Sequence, residues 1–316
     1  MAGFRIDVTE GDDGVATLEF ERGRHKCFPT ALTNDIKANR MPIHVNALTE
    51  YSLEIQLDNP GRHNALTLQD CKDAHRAIKQ AERDPSVRTI VVTGANQSFC
   101  AGADIDFLHD LQCLDTDDRR RALDVGSQLI KALIRFHGPT IAGVDGPAIG
   151  IGASLALACD RVLATERSRF GLTFTSLGLP GGDMAASWLV ARRAGSRAAN
   201  TLFADAATID AAAAAQLGLV DRIVESVVSA DIARDADTRS EQVAPNAAAI
   251  TKQQILELEG AFADLDWHMA SQLDALVSAV GGHDFDEALR ARSAKVAPVF
   301  ERRQVGLKAH DTDDCP

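Results

Sequence analysis

Two glycine-rich turns contain the residue types and spacing in this sequence that are best suited to chemistry. The first covers residues 96–105 (NQSFCAGADI) and the second residues 145–153 (DGPAIGIGA), and each follows a short apolar segment. Both turns lead into predicted helices, whose first N–H groups lack an intrahelical acceptor and carry a partial positive charge. If the two turns face each other, they place two N–H donors around one developing oxyanion.

Each turn alone also has a purely structural explanation, because Gly150 and Gly152 can simply let a helix pack closely on a strand. A dinucleotide site is poorly supported, since the third glycine of the G-x-G-x-x-G motif is missing. The sequence contains neither a G-x-S-x-G nucleophile elbow nor a phosphate-binding P-loop. The residues therefore favour oxyanion stabilisation, on condition that both turns take part.

The elements that must position these turns alternate between strands and helices. Apolar runs at 89–93 and 140–144 predict strands that are buried on both faces, and residues 51–57 alternate as a half-buried strand does. Further strands are predicted at 14–20, 161–164 and 219–224, and helices at 66–83, 125–136, 153–159, 184–193 and 209–217. This alternation indicates an α/β domain over roughly residues 50–225.

The chain divides into four predicted segments. Residues 1–49 form an N-terminal strand and an extension that is irregular over 23–46, and residues 50–228 form the α/β core. Residues 229–303 are predicted to be all-helical, with helices around 247–260, 264–280 and 284–297. Residues 304–316 are a polar tail.

Composition excludes several classes of protein. The chain of 316 residues is 45% hydrophobic and 25% charged, as globular domains are, and its net charge of −12 disfavours binding to nucleic acids or anionic membranes. No run reaches the ~18–20 apolar residues of a membrane span and no apolar signal core begins the chain, so we predict a cytoplasmic protein. The 6 cysteines include no C-x-x-C pair, so neither a metal site nor a disulfide framework is indicated.

Taken together, the motifs resemble those of the enoyl-CoA hydratase/isomerase (crotonase) superfamily. The resemblance covers residues 50–301, in the family's order and at its spacing. It is carried by FCAGADI at 99–105, VDGPAIGIG at 144–152, ACD at 158–160, DNP at 58–60 with NAL at 64–66, FG at 170–171, AAQLGLVD at 214–221 and DFDEA at 284–288.

The resemblance implies a spiral of ββα units followed by a helical C-terminal region that builds a homotrimer or a hexamer. It also implies an acyl-CoA thioester as substrate, with coenzyme A as part of that substrate and no separate cofactor or metal. By the same resemblance, the N–H groups of Ala103 and Ile151 form the oxyanion hole for the thioester carbonyl. The residues expected along the coenzyme A path are Arg62, Ala65, Ala101 and, near its phosphates, Lys295.

The sequence departs from the hydratases of this family at both of their catalytic glutamates, where it has Ser154 and Phe174. Water addition by two glutamates is therefore disfavoured. Asp183 lies close to the position where, by resemblance, isomerases of the family carry a catalytic aspartate, and it is the carboxylate that remains. Its alternative explanation is an ordinary helix N-cap.

The leading interpretation is double-bond isomerisation or a variant hydration, in which the oxyanion hole stabilises an enolate and Asp183 is the acid/base. The first alternative is hydrolysis of a C–C bond in a β-dicarbonyl or of a thioester, which is favoured if His109 or His137 faces the hole. Dehalogenation ranks lower, because Ser127 lies near the position where that group of enzymes has a histidine. An alternative of another class is a catalytically silent binding subunit.

Overall fold

The computed structural model describes residues 43–240, 243–258 and 261–300, without the side chains at 183, 240, 245, 257–258 and 261–265, and the backbone of three short N-terminal strands. These are β1 (Asp7–Glu10), β2 (Ala16–Glu19) and β3 (Lys26–Cys27). They form an antiparallel sheet of their own in the order β1-β2-β3. The predicted polar tail at 304–316 lies outside the described residues.

A six-stranded sheet in the order β12-β9-β7-β6-β5-β4 forms the centre of the molecule. Its strands are β4 (Ile43–Ala47), β5 (Ser52–Leu57), β6 (Thr89–Gly94), β7 (Thr140–Val144), β9 (Arg161–Ala164) and β12 (Arg222–Ile223). All neighbouring pairs are parallel except β4–β5, which is antiparallel. β4 lies inside the stretch predicted to be irregular, so that prediction is wrong at its C-terminal end.

A second sheet has three strands in the order β11-β10-β8, with β8 and β10 parallel. Its strands are β8 (Pro147–Ile149), β10 (Arg169–Gly171) and β11 (Thr208–Asp210). β8 begins only three residues after β7 ends, so the chain passes from the large sheet to the small one through Asp145 and Gly146. The second predicted turn therefore crosses between the sheets.

Ten helices occur in the described part of the chain. They are α1 (Leu68–Arg83), α2 (Ile105–Cys113), α3 (Thr116–Arg135), α4 (Ile151–Leu157), α5 (Ala186–Ala204), α6 (Ala211–Gln216), α7 (Ser229–Ser240), α8 (Pro245–Leu258), α9 (Ala261–Val280) and α10 (His283–Ala294). α3 begins nine residues before the predicted helix at 125–136, because Asp115 caps it and accepts a hydrogen bond from Asp118 N. α7 lies in the segment predicted to be all-helical, although no individual helix was predicted at its position.

The helix α1 shows how the sequence fixes one of these elements. Thr67 and Asp70 form a capping box, in which Asp70 N donates to Thr67 Oγ1 (3.2 Å) and Thr67 N donates to Asp70 Oδ2 (2.7 Å). The helix buries a face of small and aliphatic side chains, namely Cys71, Ala74, Ala77, Ile78 and Ala81. It ends at Arg83, and the extended C-cap residue Asp84 directly precedes Pro85.

The large sheet is covered on both faces. One face packs with α1, α3 and α4 in the main hydrophobic core. The other packs against α7 in a smaller cluster of Val91, Ile141, Leu163, Ile232, Ala233 and Ala236. Burial on both faces explains why the central strands are short apolar runs. None of the helices in the described ranges is long and apolar enough to cross a membrane.

We expect Thr67→Ala to lower the free energy of unfolding by about 1 kcal/mol, because it removes the Thr67 hydroxyl that accepts the hydrogen bond from Asp70 N in the capping box. Thr116→Ala, at the exposed first position of α3, is the matched control and should change stability by less than about 0.5 kcal/mol. Denaturant unfolding of both variants measures the difference. Equal stabilities would show that the capping box does not stabilise α1.

Candidate active site

The structure joins the two predicted turns through a short parallel bridge between Cys100 and Ala148. Cys100 N donates to Pro147 O, and Ile149 N donates to Cys100 O, both at 2.9 Å. Gly152 on α4 lies against the same residue, since a Cβ at position 152 would overlap the Cys100 carbonyl. The start of α4 is therefore held directly beside the first turn.

A second bridge, between Leu66 and Ala103, holds the other side of the first turn. Leu66 N donates to Gly102 O and Asp104 N donates to Leu66 O, both at 2.8 Å. These bonds use the groups on either side of Ala103, so the N–H of Ala103 itself points away from Leu66. Gly102 has φ 104°, a left-handed conformation that favours glycine.

The N–H groups of Ala103 and Ile151 donate to no acceptor within the described ranges. Ile151 is the first residue of α4, so its N–H is one of the unpaired donors of a helix N-terminus. Two unpaired backbone donors on turns that are hydrogen-bonded together can bind an oxygen that gains negative charge.

The residues predicted along the coenzyme A path are only partly brought to these turns. Ala101 N donates to His63 O (3.0 Å), which places the buried Ala65 and the exposed Arg62 beside the first turn. Lys295 is exposed at the C-terminal cap of α10, and no contact among the described side chains joins it to the turns.

An ion-pair cluster next to the first turn was missed from the sequence. Asp104 caps α2, with Oδ1 accepting from Asp106 N (2.9 Å) and Phe107 N (3.4 Å). Its Oδ2 pairs with Arg62 Nη1 at 2.7 Å, and Arg62 Nη2 pairs with Asp106 Oδ2 at 2.7 Å. These bonds to Asp106 and Asp104 raise the pKa of the Arg62 guanidinium above its ordinary value. Arg62 is therefore engaged within the chain.

The two positions that hold glutamates in hydratases are filled by buried side chains. Ser154 lies inside α4 and is 0% exposed. Phe174 is also buried, and its ring packs against Phe203 with the ring centroids 6.0 Å apart. Neither position offers a carboxylate.

The backbone of Asp183 belongs to a short 3₁₀ turn, Asp183–Ala185, and its side chain lies outside the described part of the structure. α5 begins at Ala186, and Ala185 rather than Asp183 occupies its N-cap position. Met184 and Ala185 both have positive φ, 47° and 60°. Met184 is buried and packs where a side chain at Gly126 of α3 would stand.

Of the two candidate histidines, His137 lies away from the two turns. His137 contacts Val87 O (3.2 Å) and Glu82 Oε1 (3.5 Å) just before β7, at the edge of the sheet where its parallel strands begin. The two turns follow β6 and β7 at the opposite edge, so His137 does not face them. His109 is exposed on α2.

A cavity of about 1170 Å³ lies at the same edge as His137 and is separate from the turns. Several of its basic side chains already have partners: Arg193 Nε donates to Leu157 O (3.2 Å), and Lys252 Nζ donates to Gly138 O (2.9 Å) and pairs with Asp160 (2.7 Å). The Arg193 contact lies at the last residue of α4, where the helix end carries partial negative charge. No group of three metal-ligating side chains occurs among the residues described.

Comparison with known proteins decides the family. The family model described as enoyl-CoA hydratase/isomerase matches residues 50–291. The chain belongs to the enoyl-CoA hydratase/isomerase family. The resemblance read from the motifs is therefore confirmed, and so is the crotonase fold that it implied, with a helical C-terminal region.

Individual relatives of this family member agree. It is 34% identical over 258 residues to a Mycobacterium leprae protein named as an enoyl-CoA hydratase, covering 80% of this chain and 85% of the relative. A Thermus thermophilus protein of the same description is 32% identical over 244 residues, with 77% and 95% covered. The crystal structure of an enoyl-CoA hydratase from Mycobacterium avium subsp. paratuberculosis superimposes with a TM-score of 0.71 at 28% identity, covering 83% of this chain and 99% of that chain.

We expect Ala103→Pro to lower turnover of an enoyl-CoA substrate by ~10²–10³, because it removes one donor of the candidate oxyanion hole. The N–H of Ala103 makes no hydrogen bond within the described chain, so its loss should leave thermal unfolding nearly unchanged. Turnover and melting temperature are measured on the same preparations. Wild-type turnover in a folded variant would show that this N–H does not contact the substrate.

Proposed function

We propose that this family member stabilises the enolate of an acyl-CoA thioester and relocates its double bond, or adds water by a variant route, with Asp183 as acid/base. The single observation that carries the proposal is the pair of unpaired N–H groups of Ala103 and Ile151 on two turns joined by a backbone bridge. The family match supports an acyl-CoA substrate. Coenzyme A is then a part of the substrate, and no further cofactor is required.

In the proposed reaction, the thioester carbonyl oxygen accepts hydrogen bonds from the N–H groups of Ala103 and Ile151. Negative charge grows on that oxygen when a proton leaves the carbon chain, and preorganised donors stabilise it without rearrangement. The partial positive charge at the N-terminus of α4 acts in the same direction. Asp183 takes the proton from one carbon and returns it to another, so the double bond moves and nothing is consumed.

The absence of both hydratase glutamates favours this reaction over ordinary hydration. Ser154 cannot orient or deprotonate water as a carboxylate does, and Phe174 is buried against another ring. The hydrolase alternative loses one of the two histidines on which it depended, because His137 lies at the other edge of the sheet. A silent binding subunit would bind acyl-CoA without converting it, so an assay of both binding and turnover distinguishes it from an enzyme.

Asp183→Asn should abolish proton transfer and lower turnover by ~10²–10⁴, while keeping side-chain size and hydrogen-bonding groups. Because Asp183 is not the N-cap of α5, Asp183→Ala should be equally inactive without the stability loss of a missing cap. The assay follows conversion of a panel of 3-enoyl-CoA thioesters to conjugated 2-enoyl-CoA by absorbance. Thermal unfolding of both variants is the control for folding.

Full activity of Asp183→Asn would refute the acid/base role. If the wild-type protein binds these thioesters and converts none of them, the silent binding subunit becomes the better explanation. If it instead releases free coenzyme A, the hydrolase is the better explanation.

We further propose a cytoplasmic homotrimer, or a hexamer of two trimers. The support is a set of large apolar side chains that the C-terminal helices leave exposed, namely Ile250, Ile255 and Trp267. The sequence predicts that the C-terminal helices bury apolar side chains in this assembly, namely Leu256, Phe262, Leu265, Leu273 and Leu276. Of these, Leu256 and Leu276 are buried within the chain itself. Leu273 is half-buried, and the side chains of Phe262 and Leu265 lie outside the described residues.

Light scattering should therefore give three or six times the chain mass of 33.8 kDa at micromolar concentration. Trp267→Glu, which places a charge on the exposed apolar surface, should shift the protein toward the monomer. Arg197→Glu, at an exposed position on α5, is the matched control. A monomeric wild-type protein would contradict the proposed assembly.

A further inference from the structure

A buried carboxylate lies immediately beside the candidate oxyanion hole. Asp104 directly follows Ala103, and its side chain is only 4% exposed. Consecutive Cα atoms are about 3.8 Å apart. The distance between this carboxylate and the Ala103 N–H is therefore within the Debye length of about 10 Å, over which salt screens charges. Left unpaired, its charge would oppose the negative charge that the proposed function places on the thioester oxygen, and burial would weaken the screening between them.

Arg62 supplies the opposite charge. Its Nη1 lies 2.7 Å from Asp104 Oδ2, on the carboxylate oxygen that does not cap α2. Its Nη2 lies 2.7 Å from Asp106 Oδ2, whose side chain is 67% exposed. One guanidinium therefore joins a buried and an exposed carboxylate of the same helix start.

The same contact also fixes the backbone of the first turn. Arg62 ends the short 3₁₀ turn Pro60–Arg62, and the next residues pair with the first turn through His63 O and Leu66. The ion pair between Arg62 and Asp104 adds a side-chain contact to these backbone hydrogen bonds. The segment before α1 and the start of α2 are thus held together on both sides of Ala103.

We propose that Arg62 is a positioning residue of the oxyanion hole, which acts through Asp104 by neutralising the carboxylate beside Ala103 and holding the turn that presents its N–H. This inference rests on the proposed function. It differs from the role that the sequence suggested for Arg62, a contact along the coenzyme A path. The two roles predict different kinetics.

A residue that binds the phosphates of coenzyme A should affect mainly KM, and its effect should vanish with a substrate that has no phosphates. A residue that neutralises Asp104 should affect mainly kcat, equally for both substrates. An enoyl-CoA thioester and the corresponding enoyl-pantetheine thioester, which lacks the nucleotide and all phosphates, separate these roles.

For Arg62→Gln we expect kcat to fall about 10- to 100-fold on both thioesters, with KM changed less than about threefold, because an unpaired carboxylate now adjoins the hole. Arg62→Gln combined with Asp104→Asn should recover most of the activity, since the unpaired charge is gone and asparagine still caps α2. Arg62→Lys should retain part of the activity, because lysine keeps the charge but not the forked geometry.

Asp106→Asn is the matched control, since it removes the exposed partner of the same guanidinium and leaves the buried pair intact. Its kcat should stay within about twofold of the wild-type value. Thermal unfolding of every variant shows whether it is folded. If Arg62→Gln does not fold, the comparison of Arg62→Lys with the wild type still tests the role of Arg62.

The inference is overturned if Arg62→Gln raises KM for the CoA thioester alone, or if the double variant is as inactive as Arg62→Gln. A readout without turnover separates it from the proposed reaction: the infrared C=O stretch of a bound saturated acyl-CoA, which the hole should shift to lower frequency. Arg62→Gln should reduce that shift. If the wild-type protein shifts the stretch but isomerises no enoyl-CoA, only the proposed reaction is contradicted. If the wild-type protein does not shift the stretch, or if Arg62→Gln shifts it as much as the wild type, the inference is contradicted.

Discussion

The backbone bridge between Cys100 and Ala148 is the contact on which the candidate site depends. The two turns belong to different parts of the chain, and the bridge brings them together with two hydrogen bonds of 2.9 Å. It requires the chain to pass very close to itself at Gly146 and Gly152, where a Cβ would overlap the carbonyls of Gln97 and Cys100. These glycines therefore allow the close approach that the bridge requires.

The strands most accurately predicted from the sequence are those in which the apolar residues of the strand match its burial in the sheet. β7 and β9 match the predicted 140–144 and 161–164, because burial on both faces selects short, mainly apolar runs. β4 was missed although Ile43, Val45 and Ala47 alternate with polar residues, because it is a short edge strand after a polar stretch. α7 was missed because it buries only a narrow apolar face against the sheet.

The candidate oxyanion donors, the N–H groups of Ala103 and Ile151, are what the family resemblance implies, and as backbone groups they need only small residues and a helix start. The pairing of Arg62 with Asp104 could not be predicted, because the residues are 42 positions apart and each has an adequate local explanation. An arginine after a turn appears solvent-exposed, and an aspartate before a helix appears to be a cap. The same limit applies to His137, whose distance from the turns depends on which edge of the sheet it occupies.

Backbone donors and side-chain acids respond differently to sequence change, and this difference accounts for the unusual site. An N–H at position 151 is present whether the residue is glycine or Ile151, so the candidate oxyanion hole does not depend on that side chain. The carboxylates that the resemblance implies for hydratases are absent at Ser154 and Phe174. Asp183, the acid/base of the proposed function, begins a turn in which Met184 and Ala185 take left-handed conformations that cost roughly 1–3 kcal/mol each. Such strain persists only when packing enforces it, here through Met184 against α3 and the bond from Ala185 N to Gly182 O (3.0 Å). The fold therefore accepts backbone strain in the turn that begins with Asp183, the residue that the proposed function assigns as acid/base.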